Sequence, residues 1–292
     1  MLFVVNSTPV NQAVLYLFFA TLFYSFINVG VKVLSHLPTS EVVIFRATIS
    51  LAICSYFIWR KGGSFLGKNR KVLLLRGFFG TLALFSLFLC VQKIPLAVAV
   101  TLINLSPIFT VILAHLILKE KATPLQWLLL LFSFVGVYLV RGQVDPVPLV
   151  WMLLGVASAF FAGLAYTCVR VLRLSEDPLV VIFYFPLVTI PLMGPVAFQQ
   201  WVWPEGFEWW ILLAIGVLTQ VAQYFMTVAY QIETAARVMV FNYFGLFWGV
   251  ILGWSLFDER LSFVQLLGVL LVFACLCANY FVSIYEKKGI IK

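Results

Sequence analysis

The polar side chains that interrupt this chain's apolar runs are few, and their types suit recognition of an organic anion or zwitterion. Arg46 lies about six residues inside an apolar segment, ~9 Å at ~1.5 Å per residue, and Arg76 lies near the start of the next. A charge at the centre of a membrane helix costs roughly 2.5–3.5 kcal/mol on insertion scales, so such residues are functional candidates. Gly216, Gln220, Gln223 and Thr227 share one helical face, and Tyr224 adjoins that stripe. Buried amides need hydrogen-bond partners, because lipid offers none. Asn28, Asn104 and Asn242 extend the set. Each residue also has a structural reading. Arg46 can snorkel outward or pair with Glu41, Arg76 can snorkel to the inner interface, and the amides can bond neighbouring helices.

Other chemistry lacks its residues. All Asp and Glu, including Glu41, Glu120 and Glu259, fall in connectors or at helix ends. No carboxylate sits mid-membrane to carry a proton or sodium ion, which favours uniport or exchange over ion coupling. His36 and His115 fall on opposite sides, and the five cysteines have no metal-ligand spacing. Neither a metal site, a cofactor nor an enzyme's catalytic cluster is expected.

These residues are positioned by elements that the composition makes plain. Hydrophobic residues are 63% of the chain, charged residues 10%, and the mean hydropathy is +1.08. A soluble domain carries about 25% charged residues. A spanning helix needs about 20 apolar residues, and stretches of that length recur throughout. Ten spans are expected, near 11–33, 40–59, 72–91, 95–118, 124–140, 148–172, 178–198, 208–230, 234–257 and 262–285. Prolines 107, 186, 191 and 195 are expected to bend the fourth and seventh. The start has no basic region ahead of its first apolar run, so no cleaved signal is read.

The chain repeats itself. Val31-Lys-Val-Leu34 returns as Val169-Arg-Val-Leu172 and Val42-Val-Ile-Phe45 as Val180-Val-Ile-Phe183, both at an offset of 138; Gly77/Gly216, Glu120/Glu259 and Gln126/Gln265 follow at 139. Five spans per repeat is odd, so the halves, 1–144 and 145–292, enter the membrane in opposite senses, as in many secondary transporters. The register aligns Asn28 with Tyr166, Arg46 with Tyr184 and Asn104 with Tyr243. If these positions line one cavity, it is cationic and amide on one side, aromatic on the other. The tyrosines can equally belong to interfacial belts.

With the N-terminus inside, inner connectors and tail hold 13 Lys and Arg and outer ones 4. The positive-inside rule then places both termini in the cytoplasm. The net charge of +8 is concentrated at Arg60, Lys61, Lys68, Arg70 and Lys71, which topology explains better than nucleic-acid binding.

Ile94-Pro-Leu-Ala-Val-Ala-Val-Thr101, Leu105-Ser-Pro-Ile-Phe-Thr110, Leu118-Lys-Glu-Lys121, Phe45-Arg-Ala47 and Arg76-Gly-Phe-Phe-Gly80 resemble the EamA family of the drug/metabolite transporter superfamily. The resemblance covers nearly the whole chain. It implies an all-α integral membrane fold of ten transmembrane helices in two inverted five-helix repeats. It also implies a central cavity and movement of small organic solutes, often outward, with membrane lipids as surroundings. Leu246 stands where the first repeat has Pro107, a departure from the family pattern. A bacterial inner membrane is the simplest location. A lipid or amphiphile translocase is the alternative function.

Overall fold

The computed structural model describes residues 9–118, 124–141, 146–173, 175–232 and 244–287. Among them the regular structure is entirely helical: α1 Pro9–Val33, α2 Thr39–Arg60, α3 Arg70–Lys93, α4 Leu96–Ile103, α5 Ser106–Leu118, α6 Pro124–Val140, α7 Leu149–Leu172, α8 Pro178–Gln199, α9 Glu208–Ile232, α10 Phe244–Phe257 and α11 Phe263–Lys287. Six of these, α1–α3 and α7–α9, are long and apolar enough to cross a membrane; the apolar stretches of α4–α6, α10 and α11 are shorter.

Local chemistry sets the helix starts. Pro38, Pro95 and Pro148 immediately precede α2, α4 and α7. Asp177 caps α8 by accepting from Leu179 N–H at 2.8 Å, with Pro178 in the first turn where its missing N–H costs nothing. The fourth expected span is two helices, α4 and α5, broken at Asn104 and Leu105. Pro107 lies just inside α5 and cannot donate to Ile103, and Asn104 Nδ2 turns back onto the Val100 carbonyl at 2.7 Å. In α8 the three internal prolines leave the helix continuous, so its expected bend is not expressed as a break.

Packing follows a paired scheme. α3 runs along α7 and α1 along α9; α3 also meets α8 as α2 meets α9, and α5 meets α7 as α10 meets α1. α2 lies on α8, and α6 on α11. Small residues permit the close crossings. A Cβ on Gly268 would stand 2.7 Å from the Gly136 carbonyl oxygen, and one on Gly77 would stand 2.8 Å from that of Tyr184. Large apolar side chains such as Trp59, Leu131, Val150 and Trp254 face outward, as suits a lipid environment.

Two apolar cores result. One, with Leu34, Leu37, Val91, Leu96 and Leu102, gathers the end of α1, the start of α2 and the region around α4. The other, with Leu17, Ile58, Leu73, Leu172 and Val181, gathers the start of α1, the end of α2 and the start of α3. Near the first, Lys32 pairs with Glu259 and donates to the Ile94 carbonyl at 2.9 Å, and Glu259 accepts from Leu96 N–H at 2.7 Å. This knot fastens α1, the α3–α4 turn and the α10–α11 connector together.

Candidate functional site

An open cavity of about 160 Å³ lies among α1, α2, α3, α4, α7, α8, α9 and α10. Its wall includes Asn28, Arg46, Arg76, Asn104, Tyr166 and Gln223, all singled out by sequence. Fragments far apart in the chain thus converge on one space.

Arg46 and Arg76 are each 3% exposed. The α2 backbone places Arg46 facing α9, where Nε donates to Thr219 Oγ1 at 2.8 Å. Its guanidinium carbon stands 5.3 Å from the centre of the Phe185 ring and 5.6 Å from that of Phe88. Arg76 stands 5.2 Å from the same Phe185 ring. Such contacts satisfy the faces of the cations but not their N–H edges. Arg46 Nη1 and Arg76 Nε are buried without a hydrogen-bond partner. Sharing one ring holds the two cations no more than about 10 Å apart, where an effective dielectric of ~20 gives a repulsion of roughly 1.6 kcal/mol or more.

Glu41 does not neutralise Arg46. It is fully buried at the start of α2, and its Oε2 accepts from Val202 N–H at 3.0 Å. Nor does Arg46 snorkel outward, since it lines the cavity beside Phe88 and Phe185. Gln223 Oε1 accepts from Tyr24 Oη at 2.9 Å, tying α9 to α1 across the wall.

Three expected residues stand away from the cavity wall. Gln220 accepts from Ser50 Oγ at 2.7 Å and contacts Cys54 Sγ at 3.0 Å, so its amide serves the α2–α9 seam. It sits about 60° around the helix from Gln223, enough to aim the two amides at different neighbours. Tyr224 is 40% exposed and lies beside Phe225 on the outer surface. Tyr184 donates to the Leu66 carbonyl at 2.7 Å and anchors the α2–α3 connector. Its chain neighbour Phe185 enters the cavity instead, one residue displaced from the repeat counterpart of Arg46. Asn242 and Tyr243 lie outside the described residues.

Sequence reasoning missed Tyr24, Phe88, Phe185 and Thr219. For the first a signal existed: Thr21, Tyr24, Ser25 and Asn28 recur at helical spacing along one face of α1, and all four line the cavity. Phe88 and Phe185 had none, being two of 29 phenylalanines.

The profile of the EamA-like transporter family matches residues 11–142 and, separately, 149–281. The chain is 32% identical over 284 residues to the pseudopaline exporter CntI of Pseudomonas aeruginosa, covering 96% of this chain and 98% of that one. It is 27% identical over 226 residues to a riboflavin transporter of Vibrio cholerae, covering 76% of each. A solved crystal structure shares the fold with a TM-score of 0.71 at 18% identity, covering 97% of this chain and 99% of that one. Members of this family are transporters rather than enzymes. With its profile matched along both halves and a relative this similar over almost the full length, the chain belongs to the EamA-like transporter family and is an integral membrane protein.

Proposed function

We propose that the protein moves a small organic metabolite bearing negative charge, an anion or zwitterion, across a bacterial inner membrane by alternating access through this cavity, as an exporter or exchanger. The observation that carries the reading is a pair of buried guanidiniums on one cavity wall, each with one N–H that has no hydrogen-bond partner. A named relative that exports pseudopaline supports outward movement. Tyr24, Asn28 and Gln223 add polar groups beside the two arginines in a wall that is otherwise mostly apolar, which suits a solute with charged groups on a carbon body.

The path is formed by two five-helix repeats, 1–144 and 145–292, inserted in opposite senses with both termini cytoplasmic. The exchange-symmetric packing of α3 on α7 and α1 on α9 supports that relation. The excess of Lys and Arg on one set of connectors supports the orientation. In this arrangement Lys32 and Glu259 close the outer end, and their separation opens it.

No Asp or Glu lines the cavity among the described residues. Exchange therefore proceeds without an inward proton gradient. Vesicles containing the protein, loaded with an organic acid found by thermal stabilisation, are expected to take up labelled acid equally with and without a pH gradient. Uptake that strictly requires the gradient and acidifies the lumen would contradict exchange and point to buried Glu41.

A further inference from the structure

The cavity's charge count says more about its ligand than that it is anionic. Arg46 and Arg76 both line it, and neither is ion-paired with an acid among the described residues. Guanidinium does not deprotonate in proteins, so both charges persist. A neutral ligand compensates neither, and a monoanion leaves one cation buried and unbalanced. A free organic cation would meet like charge on entry. Two anionic groups on one ligand neutralise the site in full.

The donors are also distinct. Arg46 spends Nε on Thr219 and keeps Nη1 unpartnered; Arg76 keeps Nε unpartnered. A guanidinium is a planar donor of the kind that suits a carboxylate, and each of these two has an N–H still to satisfy. Phe185 stands 5.3 Å from one guanidinium carbon and 5.2 Å from the other and also lines the cavity, so it is the apolar group nearest to both cations. The space about Arg76 is kept by Gly80, where a Cβ would collide with Arg76 Nη1 and stand 2.9 Å from Phe185. Even alanine at that position would crowd the two groups together.

Resting on the transporter reading above, we propose that the ligand is a dicarboxylate. One carboxylate is taken by Arg46, the other by Arg76, and the connecting carbons lie along Phe185. Tyr24, Asn28 and Gln223 are left for further polar groups on the same body, such as an amine or hydroxyl.

The purified full-length protein is titrated with the linear diacids from succinate to pimelate and with the monoamide of each. Glycerol 3-phosphate is the probe with two charges on one group, and riboflavin the probe with an uncharged ring body. At least one diacid is expected to bind tenfold or more tightly than its monoamide. In Arg46→Gln and in Arg76→Gln that preference should shrink to about twofold or less. Equal binding of diacids and monoamides would overturn the proposal, as would tighter binding of glycerol 3-phosphate or a preference that survives both substitutions. If glycerol 3-phosphate binds and is exchanged by vesicles while no diacid does, the dicarboxylate falls and the reading of an anionic substrate stands; if riboflavin alone is exchanged, both fall. If no probe binds and vesicles exchange none, both fall.

Discussion

Arg46→Gln is expected to abolish transport of an acidic substrate, by at least ~30-fold, while leaving the protein folded and at least as heat-stable as the parent. Two opposing terms set this result. A hydrogen bond to a charged group contributes about 1.5–3 kcal/mol, and loss of a partner from a buried charged pair costs about 2–5 kcal/mol, which together place the loss of binding in that range. The empty protein, by contrast, bears the cost of a buried cation whose Nη1 has no partner. Removing that charge relieves it, and glutamine can still reach toward Thr219. Arg46→Lys should recover only part of the activity, since lysine lacks the planar two-pronged edge. Transport rates and thermal unfolding of the same preparations decide between roles. A purely structural arginine would show the opposite pattern, with stability falling and the activity of the surviving folded protein unchanged.

The second large effect is on assembly. Gly77→Leu is expected to lower the unfolding temperature by several degrees and to eliminate transport. A Cβ at Gly77 would stand 2.7 Å from Val188 Cγ2 and 2.8 Å from the Tyr184 carbonyl oxygen, and a backbone oxygen cannot swing aside. Overpacking of a tight contact costs typically 1–3 kcal/mol, occasionally more. The same α3–α8 seam holds the Thr81–Thr189 hydroxyl contact at 2.7 Å and places Arg76 against Phe185. Helices forced apart there would separate the two groups that shape the cavity. Gly194→Leu is the control on α8, because no atom lies within 4 Å of a Cβ added at that glycine. Thermal melts of the two variants should diverge; equal melts would mean that the α3–α8 approach does not limit stability.

What the sequence disclosed follows from where physical signals are strong. Long apolar runs marked the spans, because a helix crossing a bilayer must be apolar over about 20 residues. Arg46 stood out for the same reason, being a cation surrounded by apolar neighbours. Asn28 and Asn104 stood out as polar residues within apolar runs, the register of the repeats added Tyr166, and all three line the cavity. Aromatic rings carried no comparable signal in a chain that is 17% aromatic. Phe185 was therefore invisible, and Tyr184 beside it was chosen by a register that is right to within one residue but not in direction. One residue is about 100° around a helix, the difference between the cavity and the Leu66 carbonyl. Gln220 erred similarly: a shared stripe predicted a shared neighbour, yet Ser50 and Cys54 claim it. The break at Asn104 needed two residues acting together, Pro107 withholding a donor and Asn104 bonding backward. Only the first was read from the chain.

Alternating access requires this cavity to open in turn to each side of the membrane. Ser25 is 3% exposed, lines the cavity, and differs from cysteine by one atom. With the five native cysteines replaced, Ser25→Cys can be labelled by a membrane-impermeant thiol reagent applied to either face of oriented vesicles, with Lys68→Cys marking the cytoplasmic face. Ser25→Cys is expected to be labelled from both faces, slowed from both by a bound diacid, and Lys68→Cys from the cytoplasmic face alone. Labelling of Ser25→Cys from one face only, in a protein that still transports, would contradict alternating access.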